Sequence, residues 1–157
     1  MPEDIALWLQ RALNTLDNDD YGLVPFAHGN LDSIPGYSST RWQFAVDMIY
    51  RTLRCDLIAV HKFVQCCDEE SFLEAIRSQS PYGSAGGVLW NGTLIYGTER
   101  LSRLIDAYFT SSGESNDTLN PAFIEALEQI FVENGVPWSD KPLLPITPAG
   151  TEAPTPR

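Results

Sequence analysis

Positive charge is what this chain has least of. Its 157 residues hold 10 Lys+Arg against 21 Asp+Glu, a formal net charge of -11. Such a field repels nucleic acid and anionic membranes and attracts basic partners. Long apolar runs are missing too: none approaches the roughly 20 residues of a membrane-spanning helix. The opening MPEDIALWLQ has acids where a secretory signal has bases. Cysteine is scarce and oddly spaced. Cys55, Cys66 and Cys67 form neither an even set nor a CxxC pair, which argues against a disulfide framework and against a zinc site with paired ligands. The expectation is a cytoplasmic protein with free thiols, no metal and no cofactor. The phosphate-binding patterns GxGxxG and GxxxxGK[ST] are absent. Ser84-Ala85-Gly86-Gly87 is the one glycine-rich stretch, and it reads as a flexible connection.

What is present is the composition of a folded domain. Hydrophobic residues make up 43% and charged residues 20%, values of a globular chain rather than a disordered one. The length suits one domain.

Apolar periodicity places five helices. Ile5, Trp8, Leu9, Ala12, Leu13 and Leu16 form one face of a helix over 3–16. A second runs from about Thr40 to Arg54 behind Ser38 or Ser39 as N-cap, with Trp42, Ala45, Val46, Ile49 and Leu53 inward. Asp68 caps a short helix over 69–78, and Thr98 caps one over 99–109. Asn120 and Pro121 open the last, with Phe123, Ile124, Leu127, Ile130 and Phe131 inward and Gly135 at its end.

Residues 57–64, LIAVHKFV, read as a strand. Asn91-Gly92 between Val88-Leu89-Trp90 and Thr93-Leu94-Ile95-Tyr96 reads as a type I′ β-hairpin. The expected class is α+β: about five helices on a small, mostly antiparallel sheet that includes this hairpin. The globular domain is expected over 1–138. Residues 139–157, with Pro142, Pro145, Pro148, Pro154 and Pro156, are expected to form a disordered tail.

Catalytic and metal readings are weak. Asp17-Asn18-Asp19-Asp20-Tyr21-Gly22 opens like a calcium loop, but Tyr21 stands at position 5 and His28 at position 12, where carboxylates are needed. A cysteine nucleophile would need His28 or His61 beside it; Cys66 and Cys67 read instead as buried packing residues. Arg41, Arg51, Arg54 and Lys62 are the one basic grouping, and helix, strand and hairpin in that order also fit a winged helix. The overall charge speaks against that DNA-binding alternative. The protein is expected not to be an enzyme.

The acids are clustered. Residues 1–32 hold Glu3, Asp4, Asp17, Asp19, Asp20 and Asp32 against Arg11 alone, and residues 114–133 hold Glu114, Asp117, Glu125, Glu128 and Glu133 with no base. Asp17, Asp19, Asp20 and Tyr21 follow a complete apolar face and precede a Gly/Pro-rich loop, so packing does not require them. They are the first-choice partner-binding residues. Asp32, Glu125 and Glu128 complete the candidate acidic surface.

The stretch Val88-Leu89-Trp90-Asn91-Gly92-Thr93-Leu94-Ile95-Tyr96, followed by Thr98-Glu99-Arg100-Leu101, resembles segments of the small immunity proteins of bacterial contact-dependent and polymorphic toxin systems. So does the pairing of acids with the aromatics Tyr21, Phe26, Tyr37 and Trp90. The resemblance implies an acidic α+β inhibitor of a basic toxin domain, a nuclease in the usual case. Its carboxylates would occupy the cationic site that binds phosphates, and its aromatics would anchor the interface. The first alternative is an acidic secretion chaperone or adaptor that holds an extended client segment. The second is a small cysteine-dependent enzyme.

Overall fold

The computed structural model describes residues 1–29, 31–110 and 117–148. Helix α1 (Glu3–Asn18) buries Ile5, Leu9, Ala12, Leu13 and Leu16 on the face the spacing predicts. After it come the two-residue strand β1 (Tyr21–Gly22) and the short helix α2 (Val24–His28). Helix α3 (Ser39–Arg54) is central: it buries Trp42, Phe44, Ala45, Val46, Met48 and Ile49. Its N-cap is Ser38, whose hydroxyl accepts the Arg41 N–H at 3.0 Å.

Strand β2 (Ile58–Lys62) leads to α4 (Glu69–Ser78), opened by a capping box in which Asp68 and Ser71 satisfy each other's backbone N–H groups. Then follow α5 (Ser84–Gly92), β3 (Leu94–Gly97), α6 (Glu99–Tyr108) and α7 (Pro121–Glu133). Thr98 caps α6 and Asn120 caps α7. The class is α+β, with seven helices and one antiparallel sheet among the described residues. None of these helices is long and apolar enough to cross a membrane.

The hairpin at Asn91-Gly92 does not form. Both residues belong to α5, so two more helices stand than the five expected. The reason is tertiary. Trp90 is fully buried and its indole N–H donates to the Gln79 carbonyl at 2.7 Å, which fixes 84–92 as a helix against 79–80. Asn91 turns its side-chain amide back to the Gly87 carbonyl at 2.7 Å. The neighbours of β3 come from afar instead. The strand order is β1-β3-β2, with Tyr21 opposite Ile95 and Ala59 opposite Tyr96.

A helical Gly92 has a measurable consequence. An added Cβ would meet only the Val64 methyls at 3.5 Å, an ordinary contact, while Ala at a helical position is favoured over Gly by up to about 1 kcal/mol. Gly92→Ala should therefore be neutral to stabilising by up to about 1 kcal/mol in urea denaturation. A hairpin turn with positive φ would give the opposite sign.

The chain does not leave the domain at residue 138, which corrects the expected tail up to Thr147. Leu143, Leu144 and Ile146 pack against the core. The Leu143 and Leu144 N–H groups donate to Asp47 Oδ1, each at 3.0 Å. Prolines that signal a tail also suit an extended segment docked through its own backbone. The remainder of the expected tail, 149–157, lies outside the described residues, as does Glu114.

Candidate functional site

The acidic turn after α1 forms one wall of an open cleft of about 420 Å³, lined by Asp17, Asn18, Asp19, Asp20, His61, Tyr96 and Gly97. Each wall has a local cause. Helix α1 ends because Asp19 turns extended, its N–H still donating to the Thr15 carbonyl at 3.1 Å. The next peptide folds over it, the Asp20 N–H donating to Asp19 Oδ1 at 2.9 Å. Asp19 and Asp20 are exposed, whereas Asp17 is half-buried and accepts the Ser102 hydroxyl of α6 at 2.5 Å.

The opposite wall comes from the sheet. Between Val60 and Lys62 the β2–β3 register slips by one residue, which leaves His61 as the extra residue of a bulge. His61 is exposed, and its ring meets the Tyr96 ring edge-on at 6.1 Å. Leu94 and Tyr96 alternate with buried Ile95, and each is 39% exposed on the outer face of β3. Gly97 lets the two walls approach: a Cβ there would stand 2.7 Å from the Leu16 carbonyl oxygen. The absence of one side chain thus sets β3 against the end of α1.

Tyr21 is not the exposed anchor expected beside these acids. It lies in β1, half-buried, with its ring against Phe26 at 6.5 Å, and burial raises its pKa. Pairing with Ile95 draws its backbone into the sheet. The exposed aromatic of the cleft is Tyr96, which lies far from the acids in sequence. Phe26 and Trp90 are fully buried core residues. Tyr37 is 78% exposed, has φ 55°, and meets the His28 and Tyr82 rings at 4.9 and 5.2 Å, a separate aromatic cluster.

The remaining acids do not join the cleft. Glu128 on α7 pairs with the Met1 α-amino group at 3.0 Å, while Glu125 is exposed on the same helix. Asp32 is exposed beside Ser33, whose hydroxyl donates to Asp4 Oδ2 at 2.5 Å. That hydrogen bond is the leading cause of the lowered Asp4 pKa. Asp32 and Glu128 therefore sit at the start of α1. A helix rising about 1.5 Å per residue puts that end roughly 24 Å from the acidic turn. Of the candidate acids, Asp17, Asp19 and Asp20 thus lie at one end of α1 and Asp32 and Glu128 at the other.

The basic grouping of a winged helix does not exist as a surface. Arg41 and Arg51 are buried and spent on backbone carbonyls: Phe26, Ile34 and Gly29 for Arg41, Val136 and Pro137 for Arg51. The cysteines differ from expectation as well. Cys55 is buried, Cys66 half-buried and Cys67 exposed, so the adjacent pair is not core. Burial pushes the Cys55 thiol up to about 11 and raises Cys66, the direction that disfavours a thiolate nucleophile. Among the described residues no group of His, Cys, Asp and Glu is arranged to hold a metal ion.

No family model matches this chain, and comparison with curated proteins and with solved structures likewise finds none similar to it.

Proposed function

We propose that this chain is a binding protein of the immunity type, which neutralises a basic toxin domain, a nuclease by its charge, at the cleft between the acidic turn and β3. One observation carries the reading: Asp17, Asp19 and Asp20 line a single cleft with the exposed Tyr96 and His61. Carboxylates around an aromatic suit an Arg- or Lys-rich surface, since the ring face attracts a cation while the acids steer its approach. The net charge of -11 supports the same partner. At Cys55 and Cys66 the cysteine-dependent alternative loses support, since burial raises both thiols.

The test is co-expression with the toxin domain encoded beside this gene. Growth should survive only when the chain is present, and toxin activity should fall on titration with purified protein. A neighbouring toxin that kills equally well with the chain present would refute the reading. In the complex, changing Asp17, Asp19 and Asp20 together to Asn should slow association at least tenfold, about 1.4 kcal/mol. Tyr96→Ala should mainly speed dissociation, by about 2 kcal/mol if the ring is a central anchor. Stopped-flow mixing at two salt concentrations separates these effects. Wild-type association by the triple Asn variant would move the interface away from the turn.

A further inference from the structure

We propose that the outer face of α3 and α4 is a groove for an extended peptide, occupied in cis by residues 142–147. In trans it takes a foreign segment of the same chemistry: two adjacent aliphatic residues, a proline and a third aliphatic residue. The groove shares no residue with the acidic cleft and does not depend on its function.

The polar recognition is of backbone. Gln43 Nε2 donates to the Leu144 carbonyl at 2.9 Å, while Gln43 Oε1 accepts the Ile146 N–H at 2.8 Å. One side-chain amide thus pairs with the strap as a neighbouring strand would. One turn along α3, Asp47 Oδ1 accepts the N–H groups of Leu143 and Leu144. The Thr147 N–H donates to the Arg77 carbonyl of α4 at 2.8 Å. Residues 143 and 144 lie at Asp47 and residue 146 at Gln43, so the strap runs antiparallel to α3. The spacing has a simple origin: the four helical residues from Gln43 to Asp47 rise about 6 Å, and two extended residues span about 6.6 Å.

Apolar contacts supply the selectivity. Leu143, Leu144 and Ile146 are half-buried, whereas Pro142, Pro145 and Pro148 face solvent. The prolines restrict the backbone and remove N–H groups that would lack partners here. Any segment with this alternation fits without a particular polar side chain.

The occupant is separable. The last fixed points before it are the Val136 and Pro137 carbonyls, held by Arg51 at 2.9 and 3.0 Å, and Trp138, whose ring lies 5.4 Å from the same guanidinium. Ser139, Asp140 and Lys141 then follow as exposed hinge residues. A cavity of about 550 Å³ opens along one edge of the strap, between Gln43, Phe44 and Asp47 of α3 and Trp138, Pro142 and Ile146. A segment with half-buried anchors and open space along one edge can open without global unfolding. Arg77, whose carbonyl holds the Thr147 N–H, also has its Nε buried with no partner among the described residues. Tethering gives the cis strap an effective concentration on the order of millimolar, so a trans peptide competes poorly until the strap is weakened.

The test uses the full chain carrying Leu144→Ser and Ile146→Ser, and a fluorescein-labelled synthetic peptide of residues 139–148 followed by anisotropy. This strap variant should bind the peptide at least tenfold more tightly than wild type does. Adding Gln43→Ala and Asp47→Ala should remove that gain. A folded strap variant that binds no better than wild type overturns the proposal. A concentration-dependent wild-type dimer that the strap variant loses would make a second copy the trans occupant and overturn a foreign one. Should the strap variant fail to fold, hydrogen exchange of the wild-type chain decides. The amides of Leu143, Leu144, Ile146 and Thr147 should exchange at least tenfold faster than those of buried α3. Equal protection would make the strap part of the core and overturn the groove.

Discussion

Replacing Arg41 by Ala should destabilise the fold by about 3–5 kcal/mol, the cost of taking a charged donor from three backbone carbonyls at once. The side chain is fully buried, yet among the described residues it forms no ion pair with a carboxylate. Its Nε, Nη1 and Nη2 donate to the carbonyls of Phe26, Ile34 and Gly29 at 2.8, 3.3 and 2.7 Å. Its guanidinium carbon stands 5.9 Å from the Trp8 ring centroid and 5.3 Å from that of Phe44. Burial lowers its pKa, but a guanidinium keeps its proton. One residue of α3 therefore ties down the whole segment from α2 to the start of α3. Removing it leaves three carbonyls to find new donors, each at about 1–3 kcal/mol if buried and unsatisfied. Arg41→Met separates the causes, because it retains the apolar stem and lacks the donors. It should lose nearly as much in guanidinium denaturation followed by tryptophan fluorescence. A Met variant as stable as wild type would mean that these carbonyls need no side-chain donor.

Gly86→Ala should cost about 3 kcal/mol, although helix propensity alone favours Ala by about 1 kcal/mol. A Cβ at 86 would lie 2.0 Å from the Ser80 carbonyl oxygen, 2.8 Å from the carbonyl carbon and 3.2 Å from the Gln79 oxygen. All three are backbone atoms, so no rotamer change relieves the clash. Helix α5 would have to lift from 79–80, stretching the Trp90–Gln79 hydrogen bond and loosening a buried indole. Gly92→Ala in the same helix is the control, and the two changes should shift the urea midpoint in opposite directions or leave Gly92→Ala neutral. A Gly86→Ala protein as stable as wild type would show that α5 does not pack against 79–80.

The two glycine contrasts show where sequence reasoning stopped. Gly86 lies in a stretch that reads as a flexible connection, and Gly92 follows the Asn of a favoured turn dipeptide. Nothing within 84–92 reveals that Trp90 reaches back to Gln79. Asn-Gly favours a turn only when no packing contact outbids it, and a fully buried indole does. The cleft was legible in half. Asp17, Asp19 and Asp20 stand out because the α1 apolar face is complete at Leu16. Tyr96 and His61 do not, since they reach the turn only through the β1-β3-β2 order and the close approach at Gly97. The alternation of exposed Leu94, buried Ile95 and exposed Tyr96 was the available signal, and the hairpin reading obscured it.

The sequence by itself determined the charge, the α+β class, and the five helices whose apolar spacing and caps are local: α1, α3, α4, α6 and α7. It also determined strand β2. These depend on neighbours within a few residues, through i to i+4 packing and side-chain caps at Ser38, Asp68, Thr98 and Asn120. Tertiary structure alone decided which strands pair, that 84–92 is a helix, that Arg41 and Arg51 are buried braces, and that 142–147 lies on α3. Each of these depends on contacts between residues distant in the chain, such as Gln43 with Leu144 or Tyr21 with Ile95. Local propensity carries no information about such partners, because their contribution exists only once the chain has closed the loop between them.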